Sequence, residues 1–327
     1  MSAFNIEASE HGLYKPRDSP DIHFTIAACC IFVVCLFGML GNGVAFWFLC
    51  FRIPVNTYTV YIINLMIADI IYLFSNAILM MLQVDQLMDI HPYSHGVANT
   101  HLVLEIVCDS SYQGGMFFLL AISIERCVSV YYPIWYRCRR PKHQSLIVCL
   151  TMWFFACLIS CLENIVCSPK CFSIESVQCT GVQAMSFVIS ICISVPLMIF
   201  SSTILLIRIQ KTSKRCRTPK LYIIIIITVF VFLIATVPVK FMWLLLHLRY
   251  LPNGFQTMLF FFASILCTVL SSAVNPYIYF MVGRQKKQKK LKSKGSIHSA
   301  LHSAFHVEED EAVKTFKDNS SISYIKA

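Results

Sequence analysis

A bundle of seven transmembrane helices, all-α and with no second globular domain, is the fold class this sequence predicts, and three observations predict it. The mean hydropathy is +0.66 and only 13% of the 327 residues are charged, which excludes an ordinary water-soluble domain. Seven apolar stretches, 24–51, 58–83, 100–131, 145–167, 184–207, 221–248 and 255–282, each reach the length of about 20 residues that a helix needs to cross a bilayer core. If these stretches cross alternately with the amino terminus outside, 22 of the 27 Lys and Arg fall on the inner side. That bias orients membrane proteins. The outer side keeps only Lys15, Arg17, Lys170, Lys240 and Arg249. The net charge of +10 is thus a matter of topology and requires no nucleic-acid partner.

Residues 1–23 form an extracellular tail. It lacks the continuous apolar core of a signal peptide, so span 1 is expected to act as its own insertion signal. Spans 1 and 7 contain no Asp, Glu, Lys or Arg; the polar residue that stands out in span 1 is Asn42. Span 2 carries one charge, Asp69, near its middle. A carboxylate at that depth costs roughly 2.5–3.5 kcal/mol, so it should face the bundle interior and meet partners. Asn42, Ser271, Ser272 and Asn275 are the candidates, and a structural hydrogen-bond knot competes with a switch role. Span 3 has acids at both ends, Glu105 and Asp109 on one helical face toward the outside, and Glu125 beside Arg126 at the inner exit. An arginine there could simply reach for headgroups. Its neighbour Glu125 suggests a local pair that a partner could release. Glu163 occupies the outer third of span 4.

Most of the sixteen cysteines lie within the spans as small apolar packing groups. Cys167, Cys171 and Cys179 instead flank the outer loop between spans 4 and 5, where oxidation persists. Three cysteines allow one bridge and leave one over; Cys167–Cys179 is the expected pair and would tie the top of span 4 to the top of span 5. Pro196 in span 5 and Pro238 in span 6 each remove a backbone hydrogen bond and permit a kink. Span 6 is otherwise a very apolar rod, from Ile223 through Ile227 to Phe230 and Phe232. Span 7 ends in Asn275-Pro276-Tyr277-Ile278-Tyr279, a proline-broken polar stretch whose backbone needs outside partners in lipid. Such a defect marks a moving part. Residues 283–295 are expected to lie on the inner leaflet as a short amphipathic eighth helix, held by seven basic residues at roughly 1 kcal/mol each. Residues 296–327 follow as a cytoplasmic tail.

The outer half of the chain carries ten acids against five bases, a mouth that attracts cations and cationic peptides unless those acids pair with Lys240 or Arg249. A transporter would be expected to show an internal repeat or paired broken helices, and the sequence has neither. No Cys/His set has metal-ligand spacing and no catalytic cluster appears, so neither an enzyme nor a cofactor is expected.

Gly41-Asn42-Gly43-Val44, Asn64-Leu65 with Ala68-Asp69, Glu125-Arg126-Cys127, Trp153, Pro196, Pro238 and Asn275-Pro276 with Tyr279 occur in order on the right spans. The chain resembles a class A, rhodopsin-like G-protein-coupled receptor. The blocks Ala121 to Cys127, Tyr132 to Pro141, Ser201 to Leu205 and Tyr279 to Gly283 narrow this to the Mas-related receptors, on the Mas branch. The resemblance implies a multi-pass plasma-membrane receptor that binds an extracellular ligand and activates a heterotrimeric G protein as span 6 swings outward around Pro238. Arg126 would leave Glu125, while Asn275, Pro276, Tyr279, Phe232, Asp69 and Asn42 rearrange. Arrestin and receptor kinases would act on the tail. It also implies a span 4–span 5 disulfide, which Cys167 and Cys179 match. Cationic ligands of the family would engage Glu163 and, at the top of span 5, the position of Gln183, which carries no charge here. Glu105, Asp109 and Lys240 complete the expected ligand-binding set, for a basic peptide, angiotensin-type peptides included, or a cationic small molecule or amphiphile. The sequence departs from the class pattern at several points: Thr236 stands in place of the usual tryptophan two residues before Pro238, Thr218 replaces an acid that often restrains Arg126, and Gly115 replaces a serine that helps hold sodium near Asp69. The alternatives are a constitutively active or decoy receptor with no dedicated agonist, and a small-solute transporter.

Overall fold

The computed structural model describes residues 20–51, 57–87, 95–141, 143–167, 177–213, 220–248 and 255–284, and seven helices among them are long and apolar enough to cross a membrane. Span 1 is Pro20–Phe51, span 2 Thr57–Leu87, span 3 His95–Tyr131 and span 4 Gln144–Val166. Span 5 runs from Val177 to Ser213, span 6 is Lys220–His247 and span 7 is Phe255–Arg284. A short helix, Pro133–Cys138, sits between spans 3 and 4. No strand occurs among the described residues. Helices are the form that satisfies the backbone within a single segment in lipid.

Six of the seven helices start earlier than hydropathy alone predicts. Span 3 begins five residues and span 5 seven residues before the apolar stretch. Hydropathy registers only the part inside the hydrocarbon, whereas a helix continues into the headgroup region as long as its hydrogen bonds hold. Within span 5, Val188–Ser194 is wound as a π-helix immediately ahead of Pro196. The expected irregularity is therefore present as a local unwinding. The Val195 amide reaches back to the Ser190 carbonyl, and the Ser194 hydroxyl donates to the Ile189 carbonyl at 2.9 Å. Pro238 and Pro276 lie inside continuous helices.

Span 3 is the central post, touching spans 2, 4, 5 and 6, while span 1 closes the ring against spans 2 and 7. Two apolar clusters stack along the bundle. One gathers Tyr61, Leu65, Phe118, Ile122, Val229 and Phe232; the other gathers Ile31, Leu73, Met80, Cys108, Phe262 and Val269. Tyr112 packs against both. Large apolar side chains such as Phe37, Leu40, Phe154 and Phe200 point outward, where lipid receives them. Of the tail expected over 1–23, residues 20–23 already belong to span 1, and of the eighth helix expected over 283–295, residues 283 and 284 continue span 7; residues 1–19, Cys171, Thr218, residues 285–295 and the cytoplasmic tail lie outside the described residues.

Candidate functional site

One end of the bundle carries the disulfide and the other carries Arg126. At the first end Cys167 and Cys179 are bridged, with Cα atoms 5.0 Å apart, so the tops of spans 4 and 5 are joined as expected. Beneath the bridge is a cavity of about 140 Å³ between spans 2 through 7. Asp109 and Tyr112 of span 3, Glu163 of span 4, Gln183 of span 5 and Lys240 and Trp243 of span 6 are among its walls. Four of the five expected ligand residues thus meet in one place. Glu105 does not line it. It is buried one turn from Asp109 and lies 3.4 Å from His101 Nδ1, four residues away on the same helix.

The two cavity carboxylates are held by amides. Asn164 Nδ2 donates to Asp109 Oδ2 at 2.9 Å, and Gln113 Nε2 approaches Glu163 Oε2 at 3.5 Å and Ser186 Oγ at 3.4 Å. Gln183 Nε2 is 3.8 Å from Cys167 Sγ, so this uncharged residue borders the disulfide. Lys240 Nζ stands 5.8 Å from the centre of the Tyr112 ring and within electrostatic reach of Asp109. The cavity floor is Tyr112. Its hydroxyl donates to Thr236 Oγ1 at 2.9 Å, and its ring lies 6.1 Å from Phe232 and 5.5 Å from Tyr72. Tyr72 in turn shares a 2.6 Å hydrogen bond with Thr268 of span 7.

Mid-bundle, Asn275 Nδ2 donates to Asp69 Oδ2 at 2.7 Å, and the Ser272 side chain adds a second hydrogen bond to that carboxylate. Asn42 does not reach Asp69. Its amide donates to the Gly38 carbonyl at 3.0 Å and across to the Ser272 carbonyl at 3.1 Å, tying span 1 to span 7. Pro276 is buried beside span 1, and Gly41 leaves room for it: a Cβ there would come within 3.1 Å of the proline ring. Tyr279 continues the helix, with its side chain outside the described residues.

At the Arg126 end, Glu125 does not pair with its neighbour. Successive helical residues project in different directions. Glu125 Oε1 instead accepts from Tyr61 Oη at 2.8 Å and from Arg140 Nη2 at 2.8 Å, a contact that is also an ion pair. Arg126 is fully buried, its guanidinium carbon 3.2 Å above the Tyr58 ring centre. Arg140 also donates to Ser145 Oγ and to the Tyr136 hydroxyl. Burial first, then the neighbouring Tyr58, pushes the Tyr136 phenol well above its ordinary value, so it stays neutral and accepts from the arginine.

Tyr112, Gln113 and Asn164 at the cavity, and Tyr61 and Arg140 at the other end, were not singled out as site residues from sequence. Tyr112 had a signal, since Glu105, Asp109 and Tyr112 fall at the spacing of one helical face. Arg140 had none beyond its charge, because its partner is set by how the chain turns after span 3.

A family profile described as "7 transmembrane receptor (rhodopsin family)" matches residues 41–279. The chain is 37% identical over 271 residues to "Proto-oncogene Mas" of Rattus norvegicus, covering 83% of this chain and 80% of that one. The Homo sapiens protein of the same name gives 37% over 274 residues, with 84% and 80% covered. "Mas-related G-protein coupled receptor member D" of Rattus norvegicus gives 33% over 266 residues, with 80% and 82% covered.

Proposed function

The chain belongs to the rhodopsin family of seven-transmembrane receptors, among its Mas-related members, and as a G-protein-coupled receptor of the plasma membrane we propose that it answers an extracellular basic peptide or cationic amphiphile. The amino terminus and the disulfide end face outward in this proposal, with Arg126 toward the G protein. The observation that carries it is the cavity under the Cys167–Cys179 bridge, where carboxylates from two different spans, Asp109 and Glu163, face one space. An angiotensin-type peptide falls within this ligand class. No cofactor enters the proposal.

A ligand acts only by binding the active arrangement more tightly than the resting one. Tyr112 supplies the link: it walls the cavity and hydrogen-bonds Thr236, two residues before Pro238. A ligand that draws Tyr112 away releases span 6, whose inner half then swings outward around Pro238 and opens a cleft at Arg126. Asp69, Asn275 and Tyr279 rearrange behind it. Arrestin and receptor kinases act on the tail. Because Thr218 cannot form an ion pair with Arg126, the receptor signals without ligand.

The deciding experiment is a G-protein activation panel in cells expressing the chain and Arg126→Ala at matched surface level, with and without basic peptides. Basal or evoked signal that disappears in the mutant supports the reading. Silence in both forms at good surface expression across every G-protein subtype overturns it in favour of a decoy. In the same assay, Glu163→Gln weakens a cationic agonist about tenfold, the value of one charge-assisted contact of about 1.4 kcal/mol; an unchanged response removes Glu163 from the site.

A further inference from the structure

Glu125 and Arg126 are neighbours in sequence, yet their side chains are held from different directions, and the two contacts join through the chain that follows span 3. Glu125 takes the Arg140 guanidinium at 2.8 Å. The guanidinium carbon of Arg140 lies 4.6 Å from the centre of the Tyr136 ring, and Arg140 also donates to the Tyr136 hydroxyl. The Tyr136 ring stacks on Tyr58 of span 2, with centres 5.9 Å apart and planes 9° from parallel. Tyr58 in turn lies under Arg126, 3.2 Å from its guanidinium carbon to the ring centre. The contacts run from Glu125 through Arg140, Tyr136 and Tyr58 to Arg126, a circuit that begins and ends on adjacent residues. It ties span 2 and the short helix Pro133–Cys138 to the inner end of span 3. An aromatic face attracts a cation because the ring is electron-rich above its plane, and the attraction grows as water is removed. Arg126 is fully buried, so the Tyr58 ring acts on it at close to full strength. A ring also differs from a carboxylate in what it leaves behind. An arginine drawn off a buried acid strands a charge, whereas one drawn off a ring strands none. Such a restraint suits a residue that has to move.

We infer that Tyr58 is a positioning residue that holds Arg126 in the resting arrangement, and that Tyr136 steadies Tyr58, so that a shift of the short helix is felt at Arg126. The inference rests on the receptor reading in taking Arg126 as the residue that meets the G protein. Tyr58 acts through Arg126 and touches no ligand. Weakening its ring face removes attraction from the resting form alone, which moves the population toward the active form without any agonist.

The test places phenylalanine, and phenylalanines with increasing numbers of ring fluorines, at position 58 of the full-length receptor by nonsense suppression. Fluorine drains the negative face of the ring and changes its size little, so packing alone predicts no gradation. Tyr58→Phe should recover most of the restraint. Ligand-independent G-protein activation at matched surface level should then climb stepwise with fluorine number, and Tyr58→Leu should reach about fivefold above wild type, the worth of one cation–π contact on a two-state equilibrium. Tyr136→Leu should raise the signal less, and the double variant no further than Tyr58→Leu alone. In purified receptor without G protein, the thermal midpoints of Tyr58→Leu, Arg126→Met and their double variant should be non-additive, the double losing less than the sum. A flat response across the fluorinated series overturns the inference, as does a lower basal signal in Tyr58→Leu or additive midpoints. Arg126→Ala, run beside the series, reports on the receptor reading. A signal that needs Arg126 and ignores Tyr58 leaves that reading standing without the inference, and silence in every form overturns both.

Discussion

Arg140 shows how one side chain outside the spans can decide the state of a residue within them. Its ion pair with Glu125 is largely withdrawn from water, and the same guanidinium reaches Ser145 and Tyr136. Breaking a buried pair from one side leaves the other charge stranded, at a cost of about 3 kcal/mol or more. Arg140→Met should therefore lower the thermal midpoint of purified receptor sharply. Adding Glu125→Gln to it should recover most of the loss, because a neutral amide can still accept from Tyr61. If the double variant is no more stable than the single, the pair is not what holds this end. With Glu125 held by Arg140, the Arg126 guanidinium lies over the Tyr58 ring and not on its neighbour.

Between elements, close approach and one hydrogen bond set what can move. Span 1 meets spans 2 and 7 at Gly38, where an added Cβ would fall 2.8 Å from the Ala273 Cβ and 2.8 Å from Leu73 Cδ1. Gly43, five residues on, has nothing within 4 Å. Gly38→Ala should cost about 1–3 kcal/mol through overpacking and reduce surface expression, while Gly43→Ala should be nearly silent; equal effects in a thermal-shift comparison would refute this close packing. Spans 3 and 6 are joined by Tyr112 and Thr236. Tyr112→Phe and Thr236→Val should each raise ligand-independent signalling several-fold, and the double variant should rise no further than either alone. Additive increases would mean that the two residues act separately. The proposed swing of span 6 at Pro238 requires that this bond be easily broken, in keeping with about 1 kcal/mol for a neutral hydrogen bond.

For the molecule as a whole, the disulfide and the charge distribution do different work. Cys167–Cys179 closes a short loop of sequence separation 12, a constraint on the unfolded chain of about 3 kcal/mol. Because span 5 is anchored by it and Gln183 borders it, Cys179→Ser should lower both the thermal midpoint and agonist potency. Retained potency at reduced stability would separate the bridge from the cavity. The charge bias fixes orientation: an epitope placed at the amino terminus should stain in unpermeabilised cells, and staining only after permeabilisation would invert the proposed topology.

The sequence by itself determined the seven spans and the family, because lipid demands long apolar helices and because the short motifs recur in order on them. It also determined that Asp69 needs partners, and the Asn275 and Ser272 side chains that it named meet the carboxylate; the cysteine pair it named is bridged. Tertiary structure decided the rest. Which neighbour Glu125 chooses depends on the helical projection of adjacent residues and on where the chain returns after span 3. Whether Glu105 joins Asp109 at the cavity depends on how span 3 sits against its neighbours, whereas its contact with His101 is the local one four residues back on the same helix. That Tyr112 of span 3 reaches Thr236 and Phe232 of span 6 was settled by packing across two helices, and no spacing within one chain segment records it. Apolar length and local motif are properties of a stretch of sequence, whereas a site is a property of how the helices face one another.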